Sequence, residues 1–164
     1  MDMVALFRQL TLGVYIVGVA HHARRDAFTA SAVMQASYNP LILALAINPE
    51  HASYALLCAG QTFAVSVLEQ RQMHLARRFG TSMPEAADKM DRVAWRYGRR
   101  GAPILNDGLA FFECALHADI PAGDHRIVLG QVIDGALLSP AGVPLSYAET
   151  RNLDHSAELY PASF

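Results

Sequence analysis

The sequence predicts a mainly β domain with short helices, its strands forming an antiparallel sheet closed as a barrel. Three observations carry that expectation. Thr62 to Leu68 and Leu109 to Ile120 alternate with the period of two that a strand imposes. The turn Pro121 to Asp124 separates the second run from Ile127 to Leu138, so the two can fold back as a hairpin. The regular strand–helix alternation of a parallel sheet is missing, and closure of an antiparallel sheet removes its unpaired edges. About six or seven strands and three or four short helices follow.

In chain order, Asp2 caps a helix over Met3 to Leu10, with Leu6 and Leu10 on one face, and Gly13 breaks it. Val14 to Val19 is the first strand and Ala27 to Ser31 the second, joined by the polar turn His21 to Asp26. Phe28 to Ser37 is rich in small and hydroxyl-bearing residues. The turn Tyr38-Asn39-Pro40 leads into Leu41 to Ile47, apolar throughout and therefore central. Asn48-Pro49 opens a helix that runs to Ala59, with Gly60 ending it. Thr62 to Leu68 sets Phe63, Val65 and Val67 on one face. Gln72 to Phe79 is helical, and Ser82 to Glu85 starts another short helix ending near Lys89. Val93 to Tyr97 is a short strand and Gly98 to Pro103 a loop. On Leu109 to Ile120, Phe112, Cys114, Leu116, Ala118 and Ile120 share a face, which turns Glu113 outward as a surface carboxylate. Gly130 marks a bulge or close approach in the return strand. Pro144 to Tyr147 ends the domain, residues 1–147, and a polar tail without elements covers 148–164.

The chain has 164 residues, enough for one domain with a real core. Apolar residues make up 52% and the mean hydropathy is +0.18. No strictly apolar run exceeds Leu41 to Ile47, too short to span a bilayer. The apolar excess therefore points to a subunit interface and a homodimer. Cys58 and Cys114 lie far apart and no secretory leader is visible, which suits a cytoplasmic protein. A net charge of −2 without a basic block offers nothing to nucleic acid or a membrane surface.

No Gly-x-Gly-x-x-Gly or Gly-x-Ser-x-Gly occurs. The seven histidines show neither His-x-x-x-His spacing nor paired cysteines, so no metal site is expected. Thr29, Ser31 and Ser37 place short donors on a backbone with little side-chain bulk, which a flat polar ligand can approach. The same hydroxyls also suit a strand edge bonded to neighbouring carbonyls. The helix start near His51, with the Ser53 hydroxyl, offers free N–H groups to an anion.

Thr29-Ala30-Ser31-Ala32, Ser37, Pro40, Phe112-Glu113-Cys114 and Gly123-Asp124-His125 stand in that order. In this set the chain resembles the flavin reductase family, FMN-binding split-barrel proteins that reduce free flavin with a nicotinamide. The resemblance covers about residues 5 to 147. It implies a six-stranded antiparallel Greek-key split barrel, homodimeric, binding FMN or FAD near the dimer interface. It also implies NADH or NADPH as electron donor and a partner monooxygenase as acceptor of the reduced flavin. It assigns flavin contacts to Phe28, Thr29, Ala30, Ser31, Ala32, Ser37, Asn48, Ser53, Phe79 and Gly80. Lys89 or Arg92 would support the flavin phosphate against the poor neighbour Glu50. His125 would face the nicotinamide side, as a group that binds and orients, because the hydride step itself moves no proton. Two stretches depart from the family. Its helix-start Ser-Ser-x-Thr reads Glu50-His51-Ala52-Ser53 here, and its closing Arg-Gly-(Arg/Lys)-Tyr is absent after Tyr147. A flavin-binding carrier or sensor without reductase activity, and an oxidase of the pyridoxamine-phosphate type, stay open as alternatives on the same barrel.

Overall fold

Asp2 opens the chain as a cap: its carboxylate accepts the Ala5 N–H at 3.0 Å, and the helix it starts, α1, spans Met3–Phe7. That is shorter than the sequence suggests. The computed structural model describes residues 2–81 and 88–161. The strands are β1 (Tyr15–His21), β2 (Arg24–Ala30), β3 (Val33–Tyr38), β4 (Leu41–Ile47), β5 (Thr62–Val67), β6 (Trp95–Tyr97), β7 (Pro103–Leu105), β8 (Ala110–Ala122) and β9 (His125–Leu137). Among the described residues two longer helices, α2 (Ala52–Gly60) and α3 (Met73–Gly80), accompany them.

One antiparallel sheet carries seven strands in the order β2-β1-β5-β8-β9-β4-β3, and β6 pairs with β7 apart from it. The main sheet therefore has seven strands, not six. The added strand is β3, which falls inside the small-residue stretch. Most of its residues are exposed, and its register shifts between Gln35 and Ser37, so no apolar alternation announces it. β4 is not central either. It lies next to the edge, between β9 and β3, and it is the burial of its middle that keeps it apolar. The loop expected over Gly98 to Pro103 ends in β7.

The first core layer joins Val17, Phe28, Leu45, Leu57, Phe63 and Val128. A second, under α3, joins Val14, Ile16, Leu68, Leu75, Phe79 and Leu145. Each large side chain so buried contributes about 1.5–3 kcal/mol. Gly130 is a close approach as expected: a Cβ there would stand 2.4 Å from the Phe63 ring. β5 has no wet face, because Ala64 packs with Ala102, Ile104 and Phe111 in a third cluster.

That third cluster corrects the reading of Glu113. Its side chain is fully buried, and its carboxylate accepts the N–H groups of Arg99 at 2.7 Å and Arg100 at 2.6 Å. The turn between β6 and β7 covers this face of β8. Gly98 permits the approach, since a Cβ there would stand 2.6 Å from the carboxylate.

The helix ends also differ. His51, not Asn48, caps α2; Gly60 is its last residue and Gln61 takes the left-handed conformation that ends it. The helix expected from Ser82 falls largely on residues 82–87, outside the described ones. Pro144 to Tyr147 forms only single bridges, Glu69 with Pro144 and Gly13 with Ser146. Beyond it the tail has two 3-10 turns, Tyr147–Thr150 and Ser156–Glu158, and lays Tyr147 and Leu153 on the second core layer. Among the described residues no helix is long and apolar enough to cross a membrane.

Candidate functional site

Three chain segments converge at one end of the sheet. The Ala46 N–H donates to the Ala32 carbonyl at 2.9 Å, which holds the end of β4 beside the exit of β2. Ile47 and Arg126 are register partners, so the start of β9 lies on the other side of β4. The Thr29 hydroxyl donates to the Ala76 carbonyl at 2.7 Å, which ties α3, and with it Phe79 and Gly80, to β2.

Between them lies a cleft of about 260 Å³. Phe28, Thr29, Ala30, Ser31 and Ala32 form one wall, with Asn48, Phe79, Gly80 and His125 around them. Every one of these residues was singled out in the sequence. Ala46, Ile47 and His51 complete the lining. Ser37, Ser53 and Lys89 do not belong to it.

Each departure has a physical reason. Ser37 lies along β3, opposite Ile42, away from the exit of β2. The Ser53 side chain is fully buried and donates to the Asp26 carboxylate at 2.5 Å. Its N–H is also committed, to Nδ1 of His51 at 3.2 Å. Lys89 sits in a turn held by Arg78, whose Nε donates to the Lys89 carbonyl at 2.6 Å. Its charge is the weakest of the influences on the His51 pKa, lowering it behind burial and against a larger opposing pull from Asp26.

His51 is the site residue the sequence reading placed only as a helix-start neighbour. Its Nδ1 accepts the Ser53 N–H, so the ring proton of the neutral form is on Nε2 and remains available to a ligand. Burial first, then the Lys89 cation, hold its pKa below the ordinary histidine value, with Asp26 opposing. The ring lies 5.0 Å from that of Phe28. The signal was faint: a histidine stands where Ser, Thr, Asp or Asn is usual for a cap.

The other donors are arranged around the rim. The Asn48 side-chain oxygen accepts the Glu50 N–H at 2.9 Å, which leaves its amide nitrogen uncommitted on a residue that lines the cleft. Among the described residues the Ser31 hydroxyl has no protein partner. Gly123, at φ +67, forms the turn that delivers His125. His125 Nδ1 lies 2.8 Å from the Asp124 carboxylate, and that contact holds the Asp124 carboxyl below its usual range.

A second cavity of about 100 Å³ backs onto the first. It shares Thr29, Ala30, Ser31 and Gly80, and is closed by Val14, Ala76, Tyr147 and Leu153. Among the described residues no group of three metal-binding side chains occurs.

A slot with apolar sides and polar donors at its rim suits a flat heteroaromatic ring with polar substituents. Fold and site together define an antiparallel β domain with a cleft shaped for a flat ring. The chain belongs to the flavin reductase family: residues 7–154 match the flavin reductase like domain. It is 36% identical over 130 residues to the NADH-dependent FAD reductase of Streptomyces globisporus, covering 78% of this chain and 71% of that one. The solved NADH:FAD oxidoreductase SgcE6 of Streptomyces globisporus superposes with a TM-score of 0.82 at 33% identity, covering 89% of this chain and 87% of that one. BorF, the flavin reductase component of a bacterial two-component tryptophan halogenase, superposes with a TM-score of 0.75 at 29% identity, over 85% of this chain and 94% of that one. The chain also spans 25% of the length of the Synechocystis diflavin flavoprotein A 1 and 65% of the high molecular weight rubredoxin of Moorella thermoacetica, at 30% and 33% identity.

Proposed function

We propose that this protein is an NAD(P)H-dependent flavin reductase. The observation that carries the reading is the single cleft that gathers Phe28 to Ala32, Phe79-Gly80 and His125 from distant parts of the chain. When bound, FMN or FAD supplies the redox chemistry by accepting a hydride from the nicotinamide. The residues present suit such a group. Ala30, Ser31, Ala32 and Gly80 leave backbone accessible along a flat wall. Ser31, Asn48 and the Nε2–H of His51 offer donors, and Lys89 adds positive potential on the His51 side for a phosphate. His125, fixed by Asp124, binds and orients the nicotinamide, because transfer needs the reacting atoms within about 3–3.5 Å. The reduced flavin passes to a monooxygenase or similar acceptor.

The sheet curls as the Greek-key split barrel of the family, a reading supported by β5 lying beside β1 while β3 and β4 fill the far edge. Two copies pair through exposed apolar strand surface, which includes Met34, Leu41 and Leu137. The pair resides in the cytoplasm, where Cys58 and Cys114 stay reduced.

The test mixes purified protein with NADH or NADPH and FMN or FAD, and follows absorbance at 340 nm. Catalytic loss of the nicotinamide signal is expected. Saturable flavin binding without turnover would favour a carrier domain, the second reading, which the likeness to a rubredoxin supports. No flavin binding at all would end both. Sedimentation equilibrium is expected to give a dimer; a stable monomer at micromolar concentration would remove that part.

A further inference from the structure

Outside the cleft, one carboxylate ties three elements together. Asp119, on β8, accepts the Tyr54 hydroxyl at 2.5 Å and Arg126 Nε at 2.7 Å. A second Arg126 nitrogen donates to the Asp119 carbonyl at 3.3 Å, and the Cys58 thiol lies 3.9 Å from the carboxylate. Tyr54 and Cys58 belong to α2, and Arg126 to β9. The Asp119 and Arg126 side chains keep 21% and 30% of their surface open. An isolated pair so placed would be an ordinary surface ion pair of little worth. Here a hydroxyl and a guanidinium converge on one carboxylate, and charge-assisted bonds in a network are the strong kind.

Both arms of this tie lead to the cleft. α2 begins directly after His51, and Arg126 directly follows His125. The ladder between β8 and β9 shifts register between Leu116 and Ala118, just before the tip of the hairpin. From Ile120 to Asp124 every residue is exposed, and Val128 is the first residue of β9 to reach the core. The tip that carries His125 therefore has no core packing of its own to set its height above the cleft.

We propose that Asp119 is a positioning residue for the hydride-transfer site: through Tyr54 and Arg126 it clamps the hairpin tip to α2 and so fixes His125 relative to His51. The proposal rests on the reading that His125 orients the nicotinamide. A shift of a fraction of an ångström at His125 would misalign the nicotinamide and lower the transfer rate, so the clamp acts on rate more than on flavin affinity.

The test uses the full chain with Asp119→Asn, Tyr54→Phe, His125→Ala and the double variant Asp119→Asn/His125→Ala. Anaerobic stopped flow reads flavin reduction, fluorescence quenching reads the flavin Kd, and amide hydrogen exchange reads the hairpin without any ligand. Asp119→Asn is expected to slow reduction about fivefold with an unchanged flavin Kd. Exchange at residues 120–127 should accelerate, and Tyr54→Phe should show a weaker version of both effects. On the His125→Ala background, Asp119→Asn should add no further slowing. An unchanged rate and unchanged exchange in Asp119→Asn, beside a slow His125→Ala, would overturn the clamp. So would the same extra slowing on both backgrounds, which would mean that Asp119 acts on the fold at large. If His125→Ala itself keeps the full rate, the nicotinamide reading of His125 fails and the positioning role falls with it, even where exchange at the tip accelerates.

Discussion

Glu113 and Asp119 sit on the same strand and both hold more than one hydrogen bond, yet they do opposite work. Glu113 is sealed in the interior, and its donors are two consecutive backbone N–H groups that cannot move without unfolding the β6–β7 turn. Asp119 is near the surface, and its donors are side chains on two other elements. The first carboxylate is part of the architecture, and the second adjusts one element against another. The lesson is that the mobility of the donors, more than their number, tells whether a carboxylate supports the fold or trims a site.

The sharpest way to break this comparison is Glu113→Ala. It removes the acceptor of two half-buried N–H groups and empties a fully buried position, and each unpartnered group costs about 1–3 kcal/mol. Urea denaturation should show a loss of about 3 kcal/mol or more, while Asp119→Asn, which keeps an acceptor for both donors, should cost clearly less. Comparable losses for the two would erase the distinction. Next in size, His125→Ala should slow anaerobic flavin reduction about tenfold, or 1.4 kcal/mol of barrier, with flavin affinity kept. An unchanged rate at both low and saturating nicotinamide would remove His125 from the site.

Ser53→Ala comes third. Its hydroxyl faces Asp26 and not the cleft, so thermal unfolding should register about 1 kcal/mol while the FMN Kd stays put. A large loss of FMN affinity with normal stability would restore Ser53 to the ligand. The smallest effect concerns His51, followed by NMR titration. The fold favours its neutral ring, so its midpoint should lie below the ordinary value of about 6.5. The folded pKa is the lower one. Its contribution to stability is therefore present above pH about 6.5 and is lost as pH falls from there through the folded midpoint. Lys89→Ala should raise that midpoint, and should weaken FMN more than riboflavin. Asp26→Asn should lower it. A midpoint insensitive to Lys89 would place that lysine too far from His51 to assist a phosphate.

The long alternating runs were legible because burial on one face writes itself into every second residue. β8 and β9 are the examples; β5 was legible from its alternating large residues although both faces are buried, and β4 because it is apolar throughout. β3 was not legible, since a mostly exposed strand with a register shift leaves no such record. Glu113 shows the other limit. Alternation correctly set it opposite Cys114, but only the tertiary path of residues 98–105 decides whether that opposite face is wet. The cleft was legible at Phe28 to Ala32, Phe79-Gly80 and His125 because small residues and a tight Gly-Asp turn are local features. The direction of the Ser53 hydroxyl was not, because its partner Asp26 lies on another element.

The pairing of Ile47 with Arg126 has a consequence for how the molecule comes into being. Phe28 to Ala32 and His51 leave the ribosome long before His125. The cleft cannot close until β9 docks on β4, a contact between distant parts of the chain that carries a high entropic cost of closure. Flavin therefore finds no formed cleft during most of synthesis. Bound as proposed, it would act on the finished sheet by mass action, adding about 2.7 kcal/mol at a hundred times its Kd. Cofactor supply would thus act on the folded chain after the sheet is complete, by holding it folded, and not on the order in which its strands meet.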